Sequence, residues 1–460
     1  MFFPKRILAL AVAFLPLTTS AQADSNLRRI SDEILLRGTC YDNLRTLCKT
    51  VGHRLSGSPQ AEKAVRWGEK ALQAAGADSV WLQPVTVPVW IRGTESLKID
   101  FGKGPKSVPL LSLGNSHGTD GRDLSGNLVM AGSIDALKAL PQDAVRGKIV
   151  FLNYRFRQDF VNTFRGYGDA VPNRSRAANV AAAMGAKAVL IRSVSTGLDD
   201  YPHTGMMRYT DSTQKIPAVA IGNQTADALA EAFLSGKTPT ATLRSECRMA
   251  GTAPSFNVIG EIKGGELPEE IIVVSGHLDS WDVGEGAHDD GAGCVQAIET
   301  IRTLKALGLR PKRTIRAVLW MNEENGVRGG AAYADSARQK GENNIFAFES
   351  DGGGHSPRGL TFEFPPQDPN KAEKRARLVK FAEDLSFLGL YDFSGNHAGT
   401  DLEPLIENGT VGCGLAPDPQ RYFDLHHTAA DVFETVNHRE LKLGAAAMTG
   451  MAWIVSQHGL

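Results

Sequence analysis

The strongest constraint on the fold is an alternation of apolar strands with an amphipathic helix in the second half of the chain. Residues 271–275 form an apolar run that ends in a serine, 295–307 show helical periodicity, and 314–320 and 345–349 are again short and mostly apolar. This rhythm is typical of a sheet with parallel neighbours and helices on its faces. We therefore predict an α/β fold built on a mixed, mostly parallel sheet.

Residue types that bind metals follow each of these three strands. His277 comes after the first strand, Glu323 and Glu324 after the second, and Asp351 after the third. Open α/β sheets bind ligands beyond the carboxyl ends of their strands, so we expect these side chains to meet. Imidazoles mixed with carboxylates suit zinc or another borderline divalent ion, whereas calcium or magnesium would favour oxygen ligands alone.

Acidic residues beside these positions can support such a site. Asp279 stands two residues after His277, a spacing that would let its carboxylate lie behind the imidazole and fix its tautomer. Asp289 and Asp290 precede the helix predicted over 295–307. One of them can bridge two cations while the other serves as an acid at the helix N-terminus, and the spacing leaves open which does which.

A histidine pair near the C-terminus completes the set. His426 and His427 lie in the stretch FDLHHTAAD, where Thr428 and Asp431 could support His427. The two adjacent glutamates can supply one metal ligand and one general base, because a bound metal lowers the pKa of its water to about 7. Two cations and a carboxylate base are typical of hydrolases that cleave amides.

The first 23 residues are typical of a secretory signal peptide. Lys5 and Arg6 precede an apolar run over 7–17, and small residues end the segment at Ala23. The run is too short to span a bilayer. We predict a signal peptide over 1–23, a mature protein that is secreted or periplasmic, and no membrane partner.

The composition is that of an ordinary globular protein, and the length suggests two or three domains. Hydrophobic residues make up 42% and charged residues 22% of 460 positions. The net charge of −1 falls to −3 when Lys5 and Arg6 are removed, which gives no reason to expect a nucleic-acid partner. Five cysteines leave at least one thiol free and do not make a disulfide scaffold.

The N-terminal half divides into a helical part and a β-rich part. Periodicity predicts one helix over 30–49, and a second helix with Ser58 as N-cap and Gly76 after its last turn. Residues 80–90 are extended but contain two prolines, which favours an edge strand. Between 111 and 246 the chain changes to short apolar strands separated by Gly, Asp and Ser, which indicates an inserted domain. Its predicted elements are strands over 127–131, 148–153, 188–192 and 218–221 and a helix over 174–185.

Several stretches of the chain resemble the secreted metallo-aminopeptidases related to carboxypeptidase Q. The similar stretches are GHLDSWDVGEGAHDDGAG, GLRPKRTIRAVLWMNEENG, ESDGGG, FDLHHTAAD, GHRLSGSPQAEKA, YPHTGMMRY and HAGTD. The resemblance implies a peptidase domain interrupted by a protease-associated domain. Together with the signal peptide over 1–23 and the change of composition at 111 and 246, this predicts a peptidase domain over 24–110 and 247–460 and an insert over 111–246.

The same resemblance implies two zinc ions and a role for each candidate residue. His277 and Asp351 would bind one ion, Glu324 and His427 the other, and Asp289 both.

Three further residues would act beside the ions: Glu323 as the general base, Asp279 as the orienting carboxylate, and His426 at a position where several relatives carry a tyrosine that stabilises the oxyanion. His288 and Asn325 depart from the residues expected in the close relatives, Met and Gln, without removing a ligand.

The implied activity is hydrolysis of the N-terminal peptide bond of dipeptides or short peptides with a free amino group, by a homodimer. A zinc amidohydrolase or deacetylase acting on N-acyl amino acids would use the same ligand types. Those enzymes carry their extra domain after the glutamate pair, whereas the long insert here precedes His277. A receptor-like binding protein is a second alternative, although all ligand types are present. Within the insert, His203 and Thr204 in YPHTG are candidates for reaching the cleft, although a plain loop is the favoured interpretation.

Overall fold

The computed structural model describes residues 20–212 and 214–460, with side chains from residue 25 onward. Residues 1–19, which contain the charged and apolar parts of the predicted signal peptide, lie outside the described residues. Among the helices that are described, none combines the length and the apolar character needed to cross a membrane.

The described residues form two β-sheets. The strands are β1 (Ser79–Ile91), β2 (Glu95–Asp100), β3 (Pro105–Val108), β4 (Leu110–Ser112), β5 (Leu124–Ala131), β6 (Ile149–Leu152), β7 (Ala188–Arg192), β8 (Ala218–Ile221), β9 (Thr240–Ser245), β10 (Arg248–Ile262), β11 (Leu267–His277), β12 (Arg313–Trp320), β13 (Asn343–Glu349), β14 (Pro357–Glu363) and β15 (Val411–Pro417). The first sheet has the order β1-β10-β12-β11-β13-β15-β14, and the second has the order β3-β2-β9-β5-β6-β7-β8-β4.

The centre of the first sheet is parallel. β12, β11, β13 and β15 run in the same direction, while the strands outside them pair antiparallel. β11 lies between β12 and β13 although it precedes both in the chain, so the strand order reverses at β11. Ligands of open α/β sheets bind at such a switch point, beyond the carboxyl ends of the strands. The predicted mixed α/β sheet is confirmed.

Helices cover both faces of the first sheet. The described α-helices are α1 (Ser20–Arg37), α2 (Cys40–Thr46), α3 (Pro59–Ala74), α4 (Ile134–Lys138), α5 (Gln142–Val145), α6 (Thr163–Ser175), α7 (Ala177–Ala183), α8 (Asn223–Leu234), α9 (Ala292–Ala306), α10 (Glu323–Gly326), α11 (Arg328–Lys340), α12 (Lys371–Glu383), α13 (Glu403–Glu407), α14 (Tyr422–Leu425) and α15 (His438–His458). Of these, α4 to α8 lie between β5 and β9, in the part of the chain that forms the second sheet. α9 packs on β11 and α15, and α1 packs on both helices, which buries the largest apolar cluster. Trp320 and Tyr333 belong to a smaller cluster that includes α11 and α13.

The local signals for α3 and β1 are confirmed. The Ser58 side chain accepts a hydrogen bond from the Ala61 amide at 3.1 Å, Pro59 occupies the first turn, and Gly76 follows the helix with a φ of +86°. β1, which contains the two prolines, lies at the edge of the sheet and pairs only with β10 among the described strands.

The single helix predicted over 30–49 is wrong. α1 ends at Arg37 and α2 begins at Cys40, because the Thr39 amide donates at 2.8 Å to the carboxylate of Glu299 on α9. Glu299 is buried, and a buried carboxylate needs such donors. Periodicity within the segment cannot show a partner 260 residues away. All five cysteines are buried and unpaired.

The second sheet contains the four strands predicted for the insert, as β5 to β8. β7 and β8 have the predicted bounds, and the predicted helix over 174–185 contains the shorter α7. The sheet begins earlier than the predicted boundary at 111, because β2, starting at Glu95, pairs with both β3 and β9. We call residues 95–245 the insert. Pairing between strands about 140 residues apart leaves no trace in local composition.

Candidate metal centre

The parallel strands bring the first group of predicted ligands together at their carboxyl ends. β11 ends at His277, whose side chain is buried, and Asp351 lies two residues beyond β13. The His277 Nε2 atom is 3.1 Å from Asp289 Oδ1 and 3.3 Å from Asp351 Oδ1. These three side chains form the first half of the centre.

A second group of ligands adjoins the first. His427 follows α14, and its Nε2 atom lies 3.2 Å from both Asp289 Oδ2 and Glu324 Oε2. Glu324 comes from the turn after β12, and its other oxygen, Oε1, accepts the Trp281 amide at 3.2 Å. The two oxygens of Asp289 therefore face different imidazoles. All five predicted ligands meet, although their binding of zinc stays a prediction.

The hydrogen bonds of the two histidines leave one nitrogen of each ring available to bind a cation. Nδ1 of His277 lies 3.0 Å from the Asp279 carbonyl, and Nδ1 of His427 lies 3.3 Å from the Thr204 carbonyl. A carbonyl only accepts, so in the neutral form of each ring Nδ1 carries the proton and Nε2 presents its lone pair. Both lone pairs then face carboxylate oxygens, and a positive charge is needed between them.

The separations within the cluster fit this requirement. Two ligands of a tetrahedral zinc ion, each about 2.0–2.2 Å from it, stand roughly 3.3 Å apart. Burial alone would lower the pKa of His277, but Asp351 and Asp289 raise it well above its ordinary value, so the site attracts positive charge. The donor set, two imidazoles with three carboxylates, suits zinc. The residues present therefore fit a pair of divalent cations.

Asp279 does not act as the spacing predicted. Its carboxylate Oδ1 is 3.9 Å from His277 Nδ1, too far for a hydrogen bond, and the ring is held instead by the Asp279 backbone carbonyl. Oδ1 accepts the amides of Asn322 and Glu323 at 2.7 and 3.1 Å. The carboxylate thus orients the turn that carries the glutamates.

The support predicted for His427 is also wrong. Its Nδ1 faces the Thr204 carbonyl, whereas the Thr428 hydroxyl donates to a carbonyl in the preceding turn. Asp431 accepts the Asp289 amide at 3.1 Å and the preceding amide at 2.7 Å. Asp431 therefore positions the bridging residue. Thr204 therefore reaches the centre, as the less favoured of the two interpretations of the YPHTG stretch predicted, and is not part of a plain loop.

Asp290 takes the role of the helix acid. Its Oδ1 accepts the Gly293 amide at 2.9 Å, in the first turn of α9, and its Oδ2 accepts the His277 amide at 3.0 Å. Asp289 is therefore free to face the imidazoles. The geometry resolves the alternative that the spacing of the two acids leaves open.

Glu323 lies beside both halves and is half-buried. It follows Asn322, whose φ of +77° turns the chain sharply after β12. Burial, followed by repulsion from Asp351 and Glu324, raises the pKa of Glu323 to about 8. A carboxylate with this pKa can both accept and return a proton near neutrality.

His426 is buried against aromatic rings. Its ring stacks on His427 with centroids 3.4 Å apart and lies 5.1 Å from the ring of Tyr167 on α6. Burial holds the pKa of His426 well below its ordinary range, so the ring is neutral. Its Nε2 is 3.7 Å from Asp289 Oδ2, and its Nδ1 has no hydrogen-bond partner within the described part of the chain.

Sequence reasoning missed two residues that shape the site. Trp281 donates its amide to Glu324 and packs its ring edge-to-face on His427, with centroids 5.6 Å apart. Asn115 of the insert exchanges hydrogen bonds with Asn325. Trp281 belongs to one of the conspicuous motifs, but neither residue carries a charge or a periodicity that would have identified it.

Comparisons with known proteins agree with this geometry. Residues 257–451 match the model of Peptidase family M28, and residues 124–229 match that of the PA domain. Carboxypeptidase Q of Xenopus laevis is 36% identical over 420 residues, covering 90% of this chain and 85% of that protein. The resemblance inferred from the motifs is confirmed.

Solved structures give the same result for the fold. A Peptidase M28 precursor from Shewanella amazonensis SB2B has 32% identity and a TM-score of 0.89, covering 96% of this chain and 98% of that one. BSAP, a zinc aminopeptidase from Bacillus subtilis, shares the fold at 22% identity with a TM-score of 0.65, covering 91% and 95%. The chain therefore belongs to peptidase family M28, as a metallopeptidase related to carboxypeptidase Q with an inserted PA domain.

Proposed function

We propose that the chain is a di-zinc peptidase that hydrolyses the N-terminal peptide bond of dipeptides or short peptides with a free amino group. One observation carries the proposal: Asp289 directs Oδ1 to His277 and Oδ2 to His427, at 3.1 and 3.2 Å. A carboxylate shared in this way can bridge two cations. BSAP of Bacillus subtilis, which shares the fold, is a zinc aminopeptidase, and this supports the choice of metal.

The reaction divides between the ions and the protein. Zinc, when bound, supplies Lewis-acid polarisation of the scissile carbonyl and of the attacking water. Glu323 accepts the proton of that water and returns it to the leaving amine, a double role that its pKa of about 8 suits. Asp279 holds Glu323 in place through two backbone amides of the turn.

His426 is proposed to stabilise the developing oxyanion. A neutral imidazole has one N–H to donate, and neither ring nitrogen of His426 has a hydrogen-bond partner among the described residues. The nearest acceptor, Asp289 Oδ2, is 3.7 Å away and too distant. The donor is therefore available to a substrate atom beside the bridging carboxylate.

The substrate and location follow from charge and from the relatives. Asp351 and Glu323 are both partly exposed, so their carboxylates can attract the ammonium group of a short peptide. The predicted signal peptide supports secretion or export to the periplasm.

We also propose a homodimer, which sedimentation of the purified protein would test: a monomer at micromolar concentration would contradict it.

A dipeptide panel tests the activity most directly. We expect cleavage of free dipeptides, loss of activity after dialysis against a chelator, and recovery when zinc is restored. N-acetylated versions of the same dipeptides are the matched control and should be cleaved far more slowly. Equal rates on blocked and free peptides would favour the amidohydrolase alternative instead.

A further inference from the structure

We infer that the insert positions the second half of the metal centre, formed by Glu324 and His427, and leaves the first half to the peptidase domain. The inference rests on the proposed two-zinc function. It assigns the insert a positioning role in cation binding through two loops. The first loop contains His203 and Thr204, and the second contains Asn115.

The first loop clamps the backbone of the histidine pair. The Thr204 amide donates to the His427 carbonyl at 3.0 Å, and the Thr204 carbonyl faces His427 Nδ1 at 3.3 Å. Nδ1 of His203 lies 2.7 Å from the His426 carbonyl, to which it donates. His203 and Thr204 are completely buried. The insert therefore sets both the position and the tautomer of a proposed ligand.

The backbone of His427 needs this support. Its φ is +65°, a conformation that residues other than glycine adopt at an energetic cost. Such conformations persist where the surroundings determine them strongly, and they concentrate at functional sites. Three hydrogen bonds from one loop of the insert meet that requirement.

The clamping loop is itself fixed within the insert. Arg174 Nη1 donates to the Thr204 carbonyl at 3.3 Å, so this oxygen has a second donor besides His427. The Thr204 hydroxyl donates to the Ser112 carbonyl at 2.9 Å. Arg174 is buried, and its guanidinium packs against Gly205, where a Cβ atom would lie 2.3 Å from Arg174 Cζ. The loop cannot shift without breaking these contacts.

The second loop reaches the turn that carries Glu324. Asn115 Nδ2 donates to the Asn325 carbonyl, and Asn325 Nδ2 donates to Asn115 Oδ1, each at 3.3 Å. The adjacent Gly114 lies against the Trp281 ring, since a Cβ there would be 1.8 Å from that ring. Trp281 in turn donates its amide to Glu324. Both ligands of the second half thus depend on the insert.

The first half is held differently. His277 donates hydrogen bonds to the Asp279 carbonyl and to the Asp290 carboxylate, and both residues belong to the peptidase domain. Within residues 20–212 and 214–460, no hydrogen bond joins His277 or Asp351 to the insert. Loosening the insert should therefore weaken one cation and spare the other.

Three variants of the full chain test this selectivity, with one control. His203→Phe replaces the imidazole with a larger aromatic ring and removes the hydrogen bond to His426, and His203→Asn restores a donor near the position of Nδ1. Asn115→Gly removes the amide at a φ of +63°, which glycine adopts without strain. Thr163→Val is the control, because it removes another hydrogen bond from the insert to the peptidase domain, to Pro419.

The measurement is zinc per chain after equilibration with increasing concentrations of a competing chelator. Loss of the partners that orient ligands typically weakens metal binding 10–100-fold. We expect His203→Phe and Asn115→Gly to release one zinc at about 10–100-fold lower chelator concentration than the unaltered protein, and to keep the other. His203→Asn and Thr163→Val should retain both ions as the unaltered protein does.

Two results would overturn the inference. If both His203→Phe and Asn115→Gly keep both ions, or release both together while remaining folded by circular dichroism, the insert does not act on one half. Failure of the proposed function looks different, because the unaltered protein would then bind fewer than two zinc ions. That result would contradict the proposed function and, with it, the inference that rests on it.

Discussion

The two halves of the metal centre are built by different parts of the molecule. The first half, His277 and Asp351, stands at the ends of neighbouring parallel strands and is supported by residues close in sequence. The second half, Glu324 and His427, lies beyond the strand ends and is supported across the boundary with the insert. The contrast indicates that sheet topology alone can gather the side chains of the first half, while those of the second half also depend on packing between the domains.

Replacing the residue that joins the halves should have the largest effect. Asp289→Ala removes the oxygen that each imidazole faces, so we expect both zinc ions to be lost and peptidase activity to fall to background. Metal content of the purified variant checks this, with Thr163→Val as the control. Retention of one full zinc equivalent would show that the halves bind independently and that Asp289 is not a bridge.

Replacing Glu323, which lies beside both halves, should slow turnover strongly without releasing zinc. Glu323→Gln keeps the shape of the side chain but cannot accept a proton, and general bases typically contribute about 10²- to 10⁴-fold to rate. We expect kcat to fall by a factor in that range while both zinc ions stay bound. Near-normal activity with full zinc content would rule out Glu323 as the base.

The pH dependence should report the same residue. The pKa of Glu323 is raised to about 8, so its base form is lost as pH falls through that value. Zinc beside the carboxylate would favour the charged form, so we expect kcat/KM to decline on the acid side at a pH below 8. The profile of Glu323→Gln, measured on its residual activity, should lack this limb; an unchanged limb would assign the ionisation to another group.

The smallest effect is expected at the N-terminus of α3, which contributes no predicted ligand. Ser58→Ala removes the N-cap of α3, and loss of such a cap costs about 1 kcal/mol of stability. Denaturant unfolding should show this loss in the free energy of unfolding, with zinc content and kcat unchanged. If the variant released zinc from the second half alone, that half would respond to general stability, and the contrast with the first half would weaken.

Much of the sheet and of the first half could be predicted because their signals are local. Apolar runs ending in His277 or preceding Glu323 and Asp351 place these residues at strand ends, and parallel strands bring such ends to one edge. The cap at Ser58 and the strands of the insert have similar short-range signals. Motif resemblance added the pairing of ligands, which spacing left open between Asp289 and Asp290.

Partners distant in the chain could not be predicted. Thr204 lies 223 residues before His427, and its part in holding that residue is a backbone carbonyl, which any amino acid has. Asp279 stands close to His277 in sequence, but the direction of its side chain depends on β12 packing beside β11. The break before α2 depends on a carboxylate in α9.

The amino-acid sequence by itself determined the family, the parallel centre of the sheet and which side chains gather at its edge, because strand periodicity and residue type are written in short stretches. Only the tertiary structure decided how those side chains are oriented. Orientation depends on hydrogen bonds between segments that folding brings together, and many of them use backbone atoms that have no signature in the sequence.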